Sequence, residues 1–325
     1  MKNVVGLSSP LFSSAKAMQN TTVQAPCQLV INWHLTEACN YSCRYCYARW
    51  DERVDTRELI HDTHRTRRML VQLADFFSPD NASNPLKREM HWTSVRLNLA
   101  GGEPLLYRER TLAVVDFARD LGFDVSIITN GSHFDRLSLE ALAPKISLLG
   151  ISLDSAEGRV NRAIGRVDRQ GKVLERGDLA DVVGKARLLN PDLRLKINTV
   201  VNALNCEEDM SAMIRALNPG RWKVLRMLPV VTNNLAVSDV QFNDFVERHR
   251  ALEAILCVED SRSLAESYIM IDPHGRFFQN SRADNHKGYQ YSRPILQAGA
   301  RESFSELRFS CRKFLSRYDK IPIAA

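Results

Sequence analysis

Short runs of aliphatic and β-branched residues alternate with helical patterns through the first 230 positions of the chain. The runs Leu29–Leu35, Val95–Leu99, Asp124–Thr129, Ile146–Leu153, Leu193–Val201 and Trp222–Leu228 read as strands. Between the first two, Leu59, Ile60, Met69, Leu70, Leu73, Phe76 and Phe77 recur at helical spacing, and Leu112 to Leu121 repeats the pattern before the third. Such alternation predicts parallel βαβ units, and right-handed crossovers would wind six of them into a curved, partly closed barrel. Beyond Pro229 the rhythm changes. Asp239–Cys257 reads as a helix, Ser267–Asp272 as a short strand and Pro273-His-Gly275 as a turn into Arg276–Gln279. Asn280–Pro294 reads as a polar loop and Phe304 to Arg317 as a last helical piece. The expected organisation is an α/β partial (βα)6 barrel over residues 27–230, preceded by a flexible tail over 1–26. A C-terminal α+β extension over 231–325 is expected to complete the pocket.

The strands carry a second pattern, because side chains alternate faces with period two. In the first, Ile31, Trp33 and Leu35 oppose Asn32, His34 and Thr36; in the second, Val95, Leu97 and Leu99 oppose Arg96 and Asn98. In the fifth, Leu195, Ile197 and Thr199 oppose Arg194, Lys196 and Asn198. Parallel strands buried on both faces are almost continuously apolar. A polar inner face with several cations therefore predicts a lumen that holds water or a polar ligand.

Candidate chemistry sharpens this picture at Thr36-Glu-Ala-Cys-Asn-Tyr-Ser-Cys-Arg-Tyr-Cys-Tyr47, where Cys39, Cys43 and Cys46 form a C-x3-C-x2-C cluster. A [4Fe–4S] cube usually takes four cysteines; three leave one iron open, and an open position suits chemistry rather than a structural staple. A second motif, Ala100-Gly-Gly-Glu-Pro104, follows the second strand at its C-terminal end, where barrel active sites lie. Its glycines would let the backbone approach a ligand closely, and Glu103 would accept a hydrogen bond from an ammonium group.

Composition narrows the field only modestly. The chain has 325 residues, 44% hydrophobic and 25% charged, with a formal charge of +6. That charge is compatible with an anionic small molecule and too weak to imply stable nucleic-acid binding. Seven cysteines in this length are not a secreted disulfide framework. Cys27, Cys206, Cys257 and Cys311 are scattered and read as buried or incidental thiols, while the clustered trio favours a reducing cytoplasm. No apolar run approaches the roughly 20 residues needed to cross a bilayer, so no membrane association is expected.

The two motifs together resemble the radical S-adenosylmethionine superfamily. The resemblance implies that the open iron chelates S-adenosylmethionine and that the Gly101-Gly102-Glu103 segment steadies its amino group. It also implies one-electron C–S cleavage to a 5′-deoxyadenosyl radical. Tyr45 would sit near the adenine, and Asn130, Ser152 and Arg166 fall at positions expected to contact the cofactor. A closer similarity is to viperin and its prokaryotic relatives. It is carried by Asn32-Trp-His-Leu-Thr36, Val125-Ser-Ile-Ile-Thr-Asn-Gly-Ser132, Ile151-Ser-Leu-Asp-Ser155 and Lys196-Ile-Asn-Thr-Val-Val-Asn202. Glu208-Asp-Met210, Arg221-Trp-Lys-Val224 and Ser267-Tyr-Ile-Met-Ile-Asp272 continue it, so that it covers Val30 to Asp272 well and the C-terminus weakly.

That resemblance implies an antiviral lyase, a radical dehydratase converting a ribonucleoside triphosphate to its 3′-deoxy-3′,4′-didehydro analogue, a chain terminator. Asn32, Arg96, Lys196, Arg221, Lys223, Tyr268 and Arg317 are the implied substrate residues, with Tyr268 near the ribose as hydrogen donor or as polariser of the leaving hydroxyl. The implied electron donor is a protein such as flavodoxin or ferredoxin. Arg96 stands where a lysine is usual and Ala100 where a serine is usual, which leaves CTP, UTP and GTP open as substrates. The membrane helix of the vertebrate relatives is not seen, so a soluble protein is expected.

Two other radical enzymes and one protein of a different class compete with this reading. Peptide-modifying relatives often carry extra clusters in a cysteine-rich C-terminal extension and a molybdenum-cofactor synthase relative needs a C-terminal cysteine trio, whereas Cys206, Cys257 and Cys311 are single and far apart. A zinc-binding nucleic-acid module would need His34 as fourth ligand to Cys39, Cys43 and Cys46. His61 and His64, one turn apart, read as a solvated helix face.

Overall fold

A computed structural model describes residues 27–46, 57–229, 232–259, 266–280 and 289–318. The expected N-terminal tail lies outside the described residues. The six expected strands are present as β1 (Cys27–His34), β2 (Trp92–Ala100), β3 (Asp124–Thr129), β4 (Leu148–Ser152), β5 (Arg194–Val201) and β6 (Arg221–Arg226). They lie side by side in sequence order, each parallel to the next. The intervening segments form α1 (Thr63–Phe77), α2 (Arg108–Asp120), α3 (Arg136–Leu142), α4 (Gly158–Ile164), α5 (Arg176–Leu189) and α6 (Ser211–Leu217).

Local chemistry explains where these elements start and stop. The carboxylate of Asp62 caps α1 by accepting from the Arg65 N–H at 3.0 Å. Met69, Leu70, Leu73, Phe76 and Phe77 bury one stripe of that helix. At its other end, the carbonyl of Phe76 accepts from Asn84 Nδ2 at 2.8 Å and that of Phe77 from Trp92 Nε1 at 2.9 Å, so carbonyls orphaned by the helix end are satisfied. His61 lies outside the helix, in the short turn Leu59–His61, and packs edge-on to Tyr107 at 4.6 Å; only His64 belongs to the exposed helix face.

The extension adds strands to both edges of the barrel sheet. The expected helix Asp239–Cys257 ends early: α7 spans Asp239–Arg248, a tight turn follows at Arg250–Leu252, and Leu256–Glu259 is a strand, β7, parallel to β6. The cause is His249, which is fully buried. Its Nε2 accepts from the Met210 N–H at 2.9 Å, so its Nδ1–H donates to the Phe245 carbonyl at 2.7 Å and locks the helix end onto α6. At the opposite edge β8 (Ile269–Ile271) runs parallel to β1, and β9 (Arg276–Asn280) and β10 (Tyr289–Pro294) follow antiparallel. The expected loop Asn280–Pro294 thus contains a strand. Tyr289 and Tyr291 pack on Phe278 of β9 at 5.3 and 6.1 Å between ring centres, and this cross-strand aromatic packing outweighs the polar composition. The final helical piece is two helices, Ala300–Ser305 and Cys311–Tyr318. The ten strands form one open sheet in the order β10-β9-β8-β1-β2-β3-β4-β5-β6-β7.

The strand phases hold in three dimensions. Ile31, Trp33, Leu97, Leu99, Ile197 and Trp222 are buried in one continuous hydrophobic core. On the other face a ladder of amides and hydroxyls crosses the first strands. Ser126 Oγ donates to Asn98 Oδ1 at 2.8 Å, Asn98 Nδ2 to Asn32 Oδ1 at 2.9 Å, and Asn32 Nδ2 to the Ile269 carbonyl at 3.3 Å.

Candidate active site

Cys39, Cys43 and Cys46 lie on an irregular loop after β1, each half-buried. Two other segments cradle this loop through backbone contacts. On one side the Gly102 N–H donates to the Thr36 carbonyl at 2.7 Å and the Glu103 N–H to the Ala38 carbonyl at 2.9 Å. A methyl group on Gly102 would overlap the Ala38 carbonyl, and one on Gly101, at φ +135°, would reach 2.6 Å from the Thr36 oxygen. The glycines therefore admit the cysteine loop, whose backbone packs directly against them. On the other side Ser42 N–H donates to Gly165 O at 3.2 Å and Arg44 N–H to Ile164 O at 3.0 Å. A methyl group on Gly165 would overlap the Ser42 carbonyl.

Glu103 is fully buried and its carboxylate is bound by the chain. Oε1 accepts from the Leu105 N–H at 3.0 Å and from Thr129 Oγ1 at 2.7 Å, and Oε2 from the Asn130 N–H at 2.8 Å. Those three donors leave one of its roughly four acceptor positions open, on Oε2. Its evident work is to fasten the end of β3, where Asn130 Nδ2 donates to Asn40 Oδ1 at 2.9 Å and stands 3.9 Å from Cys39 Sγ.

Beyond the loop, Tyr45, Asp154 and Arg166 form a buried network. The Tyr45 hydroxyl donates to Asp154 Oδ2, Arg166 Nη1 reaches the same oxygen at 3.4 Å, and Nη2 donates to the Ser152 carbonyl at 2.6 Å. Arg166 Nη1 also lies 4.0 Å from Cys43 Sγ. Asp154 Oδ1 accepts from the Val200 N–H at 2.9 Å, which ties the network to β5. Tyr45 thus anchors the cysteine loop through its hydroxyl. Asp154 was not among the residues expected from sequence, although it lies inside the Ile151–Ser155 segment.

The donor set fits an iron–sulfur cube with an open iron. Burial pushes the Cys43 thiol up to about 12 against the pull of Arg166, with the neighbouring thiols Cys46 and Cys39 adding to the rise. Thiolates crowded in this way are stabilised by metal. His34 is buried, packs edge-on to Phe278 at 5.2 Å and belongs to no metal-holding group with the cysteines among the described residues. Among the described residues no group of three or more His, Cys, Asp or Glu side chains is disposed around a single metal ion.

The second half of the site is the lumen face of β5, β6 and β7. Parallel register sets Lys196 beside Arg221, Asn198 beside Lys223, and Lys223 beside Cys257. Arg96 joins them from β2. Arg221 Nη2 donates to Cys257 Sγ at 2.8 Å and to the Arg317 carbonyl at 3.0 Å, so Cys257 belongs to this wall and is not an incidental thiol. The ammonium of Lys223 lies 2.8 Å from Glu259 Oε2 and 2.5 Å from the Tyr268 oxygen. Tyr268 donates to Glu259 at 2.7 Å, and Arg317 pairs with the same carboxylate at 3.1 Å while stacking 4.0 Å from the Tyr268 ring. Lys196 has no hydrogen-bonding or ion-pair partner among the described residues. Burial, then the charges of Lys223, Arg96 and Arg221, hold its pKa well below the usual lysine range.

Six of the seven expected substrate residues thus meet in one place, while Asn32 sits in the polar ladder on the first strands. Cys257 and Glu259 are not among the residues expected from sequence: the first lies at the end of the expected helix Asp239–Cys257 and the second just beyond it. The alternation in Leu256-Cys-Val-Glu259 was the available signal.

Comparison with known proteins agrees with this geometry. The radical SAM superfamily model matches residues 33–185. A protein of Pseudoalteromonas ulvae named S-adenosylmethionine-dependent nucleotide dehydratase is 41% identical over 90% of this chain and 94% of its own length. One of the same name from Psychrobacter lutiphocae is 40% identical over 93% and 99%. The solved structure of native anSMEcpe with bound AdoMet aligns with a TM-score of 0.62 over 91% of this chain and 84% of that one, and at 12% identity it shows the fold alone. No helix among the described residues is long and apolar enough to cross a membrane. With three cysteines cradled by a Gly-Gly-Glu turn at the head of a parallel sheet, the chain belongs to the S-adenosylmethionine-dependent nucleotide dehydratase family of the radical SAM superfamily.

Proposed function

We propose that this chain dehydrates a ribonucleoside triphosphate to its 3′-deoxy-3′,4′-didehydro analogue, the C4′ hydrogen leaving in 5′-deoxyadenosine and the 3′-hydroxyl leaving as water with an added proton, with two electrons in all supplied by an external electron carrier. The observation that carries the reading is Lys196, a cation with no ion-pair partner among the described residues, set among Arg96, Arg221 and Lys223 on the lumen face. Cations crowded and desolvated in this way are costly unless a polyanion answers them, and a triphosphate offers the charge and acceptor oxygens to do so. With a [4Fe–4S] cluster on Cys39, Cys43 and Cys46 and S-adenosylmethionine bound, one-electron C–S cleavage supplies a 5′-deoxyadenosyl radical.

The chain's own residues then bind, aim and move protons. Arg96, Lys196, Arg221, Lys223 and Arg317 hold the phosphates, and the Asn32–Asn98–Ser126 ladder keeps the strands beneath them in register. Tyr268 receives a hydrogen bond from Lys223 and gives one to Glu259, so its phenolic proton is held at a defined oxygen beside a buried ammonium. A departing hydroxyl needs such a donor. Tyr45, Asn130, Ser152 and Arg166 flank the cysteine loop and are assigned to the cofactor side, with Gly101, Gly102 and Glu103 as its support. An acidic electron carrier such as flavodoxin or ferredoxin would reduce the cluster in the cytoplasm. A product without its 3′-hydroxyl cannot be extended by a polymerase, which is the basis for an anti-phage role.

The test is to incubate reconstituted, reduced enzyme with S-adenosylmethionine and each of the four ribonucleoside triphosphates. One of them should drive 5′-deoxyadenosine release and yield a product lighter by one water. Release of 5′-deoxyadenosine that ignores every nucleotide would refute the assignment.

A further inference from the structure

A carboxylate is set into the middle of the cationic wall. Glu259 ends β7 and is only 4% exposed. Its three partners come from separate parts of the fold: Lys223 on β6, Tyr268 just ahead of β8, and Arg317 on the Cys311–Tyr318 helix. The sheet is open, with β7 and β10 as its edge strands, and Glu259 links β7 to the segment ahead of β8 by a hydrogen bond and to the last helix by an ion pair. Burial alone would raise its pKa, but Lys223 and Arg317 bring it down to about 2, and it stays ionised.

We propose that Glu259 is an internal counter-ion that stands in for a substrate phosphate, holding Lys223, Tyr268 and Arg317 together in the free enzyme and yielding Lys223 and Arg317 to an incoming polyphosphate. The inference rests on reading this wall as a polyphosphate site. A carboxylate and a phosphate present similar oxygens to the same ammonium and guanidinium donors, and two anions at one set of donors repel. An anion must therefore displace an ion pair already in place. A short phosphate chain has little to offer in exchange, whereas a triphosphate also reaches Lys196, Arg96 and Arg221. Glu259 thereby makes the site selective for the number of phosphates.

The experiment is a calorimetric titration of the full-length, anaerobically reconstituted protein with inorganic tripolyphosphate and pyrophosphate. Glu259→Gln keeps the shape and removes the charge. It should bind both anions about tenfold more tightly than the wild type, narrow the preference for the longer one, and retain its iron. Unchanged or weaker binding by this variant, while the wild type binds tripolyphosphate, overturns the inference and makes Glu259 a structural support. A wild type that binds neither tripolyphosphate nor any ribonucleoside triphosphate overturns the reading of the wall, and the inference with it. Where the glutamine variant does not fold, Glu259→Asp withdraws the charge by one methylene. Binding tightened by about two- to threefold then supports the inference, and no change or weakening overturns it.

Discussion

The cysteine loop is fastened by backbone, whereas the cationic wall is assembled from side chains that arrive from distant strands. Around Cys39, Cys43 and Cys46, carbonyls and amides of Thr36, Ala38, Ser42 and Arg44 meet those of Gly102, Glu103, Ile164 and Gly165, and the charged groups nearby are paired or hydrogen-bonded. Around Lys196, by contrast, like charges from β2, β5 and β6 are pressed together, with Glu259 as a nearby counter-charge. The first region is built to keep one shape, so that a radical is formed at one place. The second stores electrostatic tension that an anionic ligand relieves.

Substitutions should separate the two regions sharply. The largest effect is expected at Gly102→Ala, whose methyl group would overlap the Ala38 carbonyl: iron binding should be lost, as read by iron content and visible absorption. Iron retained at the wild-type level would show that the cradle is looser than its contacts imply. Asp154→Asn leaves Arg166 without its anionic partner and should lower unfolding stability by about 3 kcal/mol in denaturant titrations. A loss under about 1 kcal/mol would make that network dispensable.

The tension in the wall should also show as a proton. Because the Lys196 pKa is depressed, the protein should gain stability as pH rises from that lowered value towards 10.5, where the unfolded lysine also loses its charge. Within the same window triphosphate binding should take up a proton, seen as a dependence of the binding heat on buffer ionisation enthalpy. Lys196→Gln should abolish both effects; their persistence would assign the proton elsewhere. The smallest effect is expected at Thr199→Val, behind the wall. It removes the acceptor for Trp222 Nε1 at 2.9 Å and should cost about 1–2 kcal/mol of stability without changing nucleotide affinity.

The same contrast explains how much could be read from sequence. The cysteine loop and its Gly-Gly-Glu support are contiguous motifs, and the parallel order of β1 to β6 follows from hydrophobic rhythm. Arg96 and Lys196 were legible because strand phase alone puts them on the polar face. Glu259 and Cys257 were not, since Asp239–Cys257 keeps a helical pattern until His249 turns inward to meet Met210, a contact 39 positions away in sequence. The ion pair of Arg317 with Glu259 depends on a helix folding back across the open edge of the sheet, and local spacing carries no trace of it. The roles of Gly101, Gly102 and Glu103 in supporting the loop likewise needed three dimensions, because the atoms they meet lie about sixty residues earlier.

The central claim is that radical generation and nucleotide capture are separate parts of one site, divided between the cysteine loop and the cationic wall. The most direct measurement compares reduced wild type and Lys196→Gln in nucleotide-dependent release of 5′-deoxyadenosine, with iron determined on the same samples. The account predicts an unchanged iron content and an apparent nucleotide affinity weakened by roughly 30-fold or more, the worth of a charge-assisted phosphate contact. Loss of iron in the variant, or a nucleotide dependence equal to that of the wild type, would contradict it.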